Sequence, residues 1–409
     1  MKLLMIAPTA DREGTGESAL AFEWVSRMAL RHDVTVLTYR QRRGRSLRDQ
    51  LPSVRVIEWT EPPLLGRSER FNAMLNPGYI PFRGAARRWI RRAQARGESF
   101  DIAHQVAPVS LRYPTPLTGL DIPHVIGPVG GSLDSPARFV PEEGGAPWYT
   151  RLRALDAARL RFDPVLRRSF GNADAVVGIA DYVRDLLREV PVRRFENMSD
   201  VGIAALPEPA APSERTSAVR FLFVGRVIRT KGVIDAVRAV ALLPPGVALL
   251  DVLGDGYQRE ECERLVAQLG LGGSVRFHGH VPHAEVDGFY RGADVFLFPS
   301  YREAGGIVVI EAMSYGLPSI VADRGGPAAV IGSDCGIRVP PHDPPQYAAA
   351  LAEAMSALAA DPPRRARLGA AARARAANRS LWDRRIEHME RLYADVVGQS
   401  AAQDADQPK

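Results

Sequence analysis

Two residue types are scarce in this chain of 409 residues, and each scarcity narrows the field. Cysteine occurs twice, as Cys262 and Cys335. That is too few for a disulfide framework, and the spacing matches no cysteine-ligated metal site. It fits a reduced, cytoplasmic compartment. Lysine occurs three times, as Lys2, Lys231 and Lys409, beside 50 arginines, so each lysine stands out. No apolar run approaches the roughly 18–20 residues of a membrane span. The opening MKLLMIAPTA is broken by Pro8 too early to read as a secretory signal. What remains, 46% hydrophobic and 24% charged residues, is the composition of a globular protein, long enough for two or three domains of about 150 residues each.

The net charge of +6 is unevenly spread. Residues 1–200 carry 30 Lys/Arg against 23 Asp/Glu, whereas residues 201–409 carry 23 against 24. The first half is therefore the part suited to meet something anionic. KLLMIAP (2–8) and HDVTVLTYR (32–40) read as buried strands, and SALAFEWVSRMALR (18–31) between them has helical period. This strand–helix–strand start of a parallel sheet continues through 54–59, 100–106, 123–129 and 173–180. LPEPAAPSERTSA (206–218) has three prolines and no period, so it reads as a linker. The alternation restarts at VRFLFVG (219–225) and runs to about residue 379. A last helix over 380–397 and a polar, disordered tail over 398–409 complete the chain.

The stretch SYREAGGIVVIEAMSYGLPSIVADRGG (300–326) places Glu303 and Glu311 eight residues apart. A glycosidase needs its two carboxyls about 5–10 Å apart across one bond. Even a fully helical segment would separate these two by about 12 Å along its axis. They are better suited to different parts of one elongated ligand. Gly305 and Gly306 between them offer bare backbone at a helix start, where unpaired N–H groups and the dipole suit a phosphate. FVGRVIRTKGV (223–233) adds Arg226 and Lys231 after a strand. An arginine forks onto phosphate oxygens and a lysine supplies a point charge. The plain alternative for this second stretch is a solvated basic turn.

Taken together, GRVIRTKG, GDG (254–256), VRFHGHV and EAGGIVVIEAMSYGLPSIVADRGG resemble the C-terminal domain of family 4 retaining glycosyltransferases, which have the GT-B fold. That resemblance implies an α/β protein of two doubly wound Rossmann-like domains facing a central cleft: 1–205 for the acceptor and 219–379 for the donor, with the helix 380–397 crossing back to the first. It implies a hexosyl-type transferase that moves a sugar from a nucleotide diphosphate sugar to a glycan, glycolipid or small-molecule hydroxyl, with retention and without a metal or other cofactor. By the same likeness Arg226 and Lys231 hold the diphosphate. Glu303 meets the transferred sugar, Glu311 the ribose, and the backbone of Gly279–Val281 the base. Ala304, Gly305, Gly306 and Ile307 complete the donor loop. In the first half, Gly14 and Gly16 of REGTGES stand where the family has a glycine-rich loop. His104 of DIAHQV corresponds to a histidine near the transferred sugar, or is simply a packed histidine. Gly130 and Gly131 of IGPVGGSLDSP approach the acceptor or form a turn. One departure is visible: a glutamate common in the family a few residues after Gly325–Gly326 is here replaced near Ala329.

Other readings are weaker. GTGESA fits a dinucleotide pattern, but Gly14 lies seven residues beyond Ala7, too far from its strand for that turn. A GT-B sugar-nucleotide epimerase and a non-catalytic pseudo-transferase remain as alternatives. No nucleic acid partner is expected. RGAARRWIRRAQAR (83–96) repeats arginine at four-residue spacing around Trp89 and Ile90. It is either a dock for an anionic membrane surface, with the protein peripheral on its inner face, or a solvated helix face.

Overall fold

The structure, a computed structural model, describes residues 1–40, 44–61, 78–144, 154–208 and 218–405. Most of the expected linker therefore lies outside the described residues. The chain divides into two compact units that are not contiguous in sequence. The first holds Met1–Ser132, Arg151–Asp200 and Ile386–Lys409; the second holds Leu133–Thr150 and Val201–Arg385. A contiguous boundary near residue 205 thus misses a segment around 133–150 that belongs to the second unit.

The first unit is built on a seven-stranded sheet of β1 (Lys2–Ile6), β2 (Asp33–Arg40), β3 (Arg55–Thr60), β4 (Ile102–Gln105), β5 (His124–Val129), β6 (Ala175–Gly178) and β7 (Phe195–Asn197), in the order β3-β2-β1-β4-β5-β6-β7. The second carries β8 (Val219–Val224), β9 (Ala248–Leu253), β10 (Val275–Gly279), β11 (Val295–Phe298), β12 (Ser319–Ala322) and β13 (Gly336–Val339), in the order β10-β9-β8-β11-β12-β13. The described pairings are parallel, with Leu3 facing Val34 on one side and Ile102 on the other. Strands covered on both faces read as unbroken apolar runs, as in KLLMI and VFLF. Each sheet reverses its winding once, between β1 and β4 and between β8 and β11. Such reversals are where the loops beyond the strand ends leave room for a ligand.

The second core gathers Phe221, Val252, Phe296, Met313 and Tyr347, and it includes Phe139 from the 133–150 segment. In the first unit Leu4, Ile6, Leu37, Phe82, Ile90 and Ala103 form one cluster. The last helix runs Trp382–Ala405. It therefore passes the expected end at 397 and takes in much of the tail read as disordered. GQSAAQDA has no helix breaker after Gly398, so the helix propagates on good formers once started. No helix among the described residues is long and apolar enough to cross a membrane.

Candidate functional site

In the second unit the signature residues converge on the reversal between β8 and β11. After β8 the chain turns through Arg226 and a short 3-10 segment, Arg229–Lys231, into the helix Val233–Ala241. After β11 it runs through Tyr301, Arg302 and Glu303 to Gly306, whose left-handed φ of 82° starts the helix Ile307–Ser314. These two loops bring Lys231 and Glu303 together in an ion pair between Nζ and Oε2. Lys231 also lies 5.5 Å from the Phe298 ring centre. Arg226 is exposed, its carbonyl accepts from the Ile228 N–H at 3.0 Å, and its side chain makes no hydrogen bond or ion pair with a described residue. The first amides of the helix at Ile307 have no side-chain cap. A cation, an ion pair and uncapped amides thus stand at one end of one sheet.

Backbone packing holds this arrangement. Gly326 donates its N–H to the carbonyl of Glu303 at 3.0 Å. A Cβ on Gly326 would sit 2.1 Å from the Ala304 oxygen and 2.3 Å from that of Gly305, and one on Gly325 would sit 2.2 Å from the oxygen of Glu303. The glycine pair therefore seats the 303–306 loop by backbone contact, with no side chain involved. The GDG stretch acts likewise on the β8 loop, because a Cβ on Gly254 would lie 1.9 Å from the Gly225 oxygen. Val227 N–H bonds the Asp255 carbonyl at 2.9 Å. Gly279 closes β10, and its carbonyl accepts from the Gly254 N–H at 2.7 Å. Val281, half-buried, follows two residues later.

Glu311 lies on the helix Ile307–Ser314, away from the Lys231 pair. Its Oε2 accepts a 2.9 Å hydrogen bond from the Tyr290 hydroxyl, and the Tyr290 ring stacks on Tyr315 at 5.0 Å and 11°. Neither tyrosine is signalled by local sequence. Burial pushes the Tyr290 hydroxyl well above its usual range, so it remains a donor. Arg229, also missed in the sequence, is 1% exposed. It forks onto the buried Asp235 at 2.6 and 3.1 Å and reaches Glu142 at 2.9 Å.

In the first unit Gly14 and Gly16 lie in the loop between β1 and the helix Glu17–Ala29, which Gly16 caps. Burial pushes the Glu17 carboxyl up to about 7 against a backbone hydrogen bond from Val109 and beside Asp200. Gly130 and Gly131 follow β5. Gly130 donates to the Val109 carbonyl at 2.6 Å, and Gly131 N–H bonds the Tyr182 hydroxyl at 3.1 Å. Gly130 also forms an isolated bridge with Ser110.

His104 requires a correction. It lies inside β4 and is fully buried. Its Nε2 faces the Gly127 carbonyl, which can only accept, so Nε2 carries the proton. Nδ1 then accepts from the Tyr393 hydroxyl at 2.6 Å. Trp24 packs edge-on at 6.0 Å. With both nitrogens engaged and no exposed atom, His104 is a neutral core histidine. Burial drives its pKa down to about 4. Among the described residues no group of three or more His, Cys, Asp or Glu is placed to hold a metal ion.

This architecture is the GT-B fold of glycosyltransferases. Sucrose-phosphate synthase from Thermosynechococcus elongatus superposes with a TM-score of 0.63 at 22% identity, covering 97% of this chain and 99% of that one. Anabaena Alr3699/HepE, solved in complex with UDP, superposes at 0.61 and 17% identity over the whole of both chains. Within the second unit, residues 208–375 match the model of glycosyl transferases group 1. A D-inositol 3-phosphate glycosyltransferase of Xylanimonas cellulosilytica is 39% identical over 181 residues, 43% of this chain and 42% of that protein. The chain thus spans about two fifths of the length of the curated relatives it matches.

Proposed function

We propose that the chain is a metal-independent retaining glycosyltransferase that takes a hexosyl group from a nucleotide diphosphate sugar and passes it to a hydroxyl of a glycan, glycolipid or small molecule. The observation that carries this reading is the pairing of Lys231 with Glu303 on the β8–β11 reversal, on the two loops that also hold Arg226 and lead into the uncapped helix start at Ile307. The group 1 match of this unit and the UDP complex of the Anabaena fold neighbour support it.

In this reading an incoming diphosphate draws Lys231 away from Glu303. The freed carboxylate then accepts from hydroxyls of the transferred sugar, while Glu311 takes the ribose. As the bond between the anomeric carbon and the phosphate oxygen breaks, negative charge grows on the diphosphate. Arg226, Lys231 and the helix amides stabilise that charge. The acceptor oxygen bonds to the same face, and its proton goes to a donor phosphate oxygen. Each charge-assisted contact contributes about 1.5–3 kcal/mol, so removing one slows transfer by roughly tenfold to a hundredfold.

The helix Tyr79–Ala95 supports a peripheral site on an anionic membrane. Arg83 and Arg87 turn inward to the carbonyls of Thr115, Pro116 and Thr118. Arg88, Arg91 and Arg92 stay exposed, and Ile80 is 78% exposed at the helix start. Sedimentation with anionic and neutral liposomes tests this, and equal recovery from both would remove it.

The test of the main reading is Lys231→Ala and Glu311→Ala, assayed against a panel of UDP-, GDP-, ADP- and dTDP-sugars. Both variants are expected to stay folded and lose transfer. Normal turnover in both would end the proposal.

A further inference from the structure

The segment 133–144 is flanked in sequence on both sides by residues of the first unit, yet it is built into the second. Its composition, LDSPARFVPEEG, carries no signature. Its contacts fall on the two loops at the β8–β11 reversal. Phe139 is fully buried and packs 4.5 Å from the Tyr301 ring centre and 5.8 Å from that of Tyr347. The Arg229 guanidinium lies against both the Phe139 and Tyr301 rings, 5.2 and 5.4 Å from their centres. Glu142 receives Arg229, and Glu143 receives both the Tyr301 hydroxyl and Arg302, each at 3.1 Å.

The sequence positions of these contacts matter. Arg229 stands two residues before Lys231, and Tyr301 and Arg302 are the two residues directly before Glu303. The two glutamates therefore grip the loops next to the residues that meet in the ion pair, without touching the pair itself. Arg229 could be neutralised by Asp235 alone, with which it already forms a bidentate fork. Glu142 adds a second carboxylate, and with it a fixed distance between the β8 loop and the 133–144 segment. Glu143 fixes the same segment to the β11 loop. The two loops have no strand pairing beyond their strand ends, since β11 pairs β8 only at Val295–Phe221 and Phe296–Leu222. They meet directly where the Ser300 hydroxyl donates to the Thr230 carbonyl at 3.2 Å, and the 133–144 segment adds a second bridge between them.

We propose that the 133–144 segment is a strap that sets the spacing of Lys231 and Glu303, with Glu142 and Glu143 as positioning residues. The inference rests on the nucleotide diphosphate reading above. It deepens that reading by making the site a product of three chain segments rather than two.

The test uses UDP and uridine as probes on the full chain, with binding measured by calorimetry. Glu142→Gln and Glu143→Gln keep the shape of the side chain and remove its charge. Each is expected to weaken UDP binding about tenfold, while uridine binding and the thermal midpoint change little. Amide exchange is expected to quicken at Lys231–Gly232 and Glu303–Gly305, with β8 and β11 unchanged. Arg302→Lys, which keeps the charge but loses the guanidinium contact to Glu143, gives a second route should a glutamine variant fold poorly. It is expected to reproduce the UDP loss. UDP affinity and loop exchange equal to wild type in the strap variants, with UDP binding lost in Lys231→Ala, would overturn the strap and leave the nucleotide reading standing. UDP bound as tightly by Lys231→Ala as by wild type would overturn the nucleotide reading, and the strap with it.

Discussion

Tyr290 donates its hydroxyl hydrogen to Oε2 of Glu311 across 2.9 Å, and its ring is held by stacking on Tyr315. The donor is 3% exposed, so no water replaces it readily. Tyr290 thus fixes which carboxylate oxygen of Glu311 remains open to a ligand. If Glu311 takes the ribose, Tyr290→Phe leaves the fold intact but frees the carboxylate to rotate. UDP is expected to bind several-fold more weakly, and its advantage over 2′,3′-dideoxy-UDP to shrink. A competition titration of the two nucleotides reads both effects, and an unchanged ratio speaks against Glu311 as the ribose contact.

Gly326→Ala is expected to lower stability and donor binding together. Its methyl would meet two carbonyl oxygens at 2.1 and 2.3 Å, and backbone does not step aside as a side-chain tip does. Overpacking of this kind costs about 1–3 kcal/mol. Gly272→Ala is the control, because nothing lies within 4 Å of its added carbon. It is expected to stay within about 0.5 kcal/mol of wild type. Urea midpoints of the two variants give the comparison.

His104 makes the first unit acid-sensitive. Its folded pKa of about 4 lies below the ordinary 6.5, so between these values the unfolded chain binds a proton that the folded chain does not. The stability this contributes is present above about pH 6.5 and is lost as pH falls towards 4, up to about 3 kcal/mol in all. The difference in unfolding free energy between wild type and His104→Asn is therefore expected to shrink across that window. A difference that does not vary with pH would count against the buried neutral state.

Glu17 has the opposite sign. Its folded pKa of about 7 exceeds the ordinary 4.5, so the folded state keeps the proton longer. Its favourable term is present below about pH 4.5 and disappears as pH rises through 7. Glu17→Gln is expected to melt higher than wild type at pH 8, with the gap closing as pH falls towards 4.5. Melting curves at four or five pH values suffice, and a gap of constant size would refute the assignment.

Much of the second unit could be read from the chain alone. Parallel strands buried on both faces leave continuous apolar runs, and the residues that meet at the β8–β11 reversal sit at strand ends and helix starts that local pattern identifies. What escaped reading depends on distant partners. His104 is occupied by Tyr393, 289 positions away, so its strand-end spacing could not reveal that both nitrogens are engaged. Gly325 and Gly326 look like an ordinary turn until the carbonyls of 303–305 are seen beneath them. The strap has no period and no motif, and only its contacts with Arg229, Tyr301 and Arg302 give PARFVPEEG a purpose. The helix continues past residue 397 despite its polar sequence, because polar helix formers extend an existing helix readily.

Phe139 has a practical consequence for anyone dissecting this gene. The region that matches the group 1 model, 208–375, omits it, and so would any fragment cut at the start of β8. Such a fragment would carry an unfilled aromatic slot beside Tyr301 and Tyr347, a defect of the size that costs about 3–5 kcal/mol when a core phenylalanine is truncated. Its Arg229 would also be stripped of one aromatic cover and one carboxylate. A soluble excised second unit would have to carry residues 133–144 along, for instance by circular permutation, because the boundary drawn by homology is not the boundary drawn by packing.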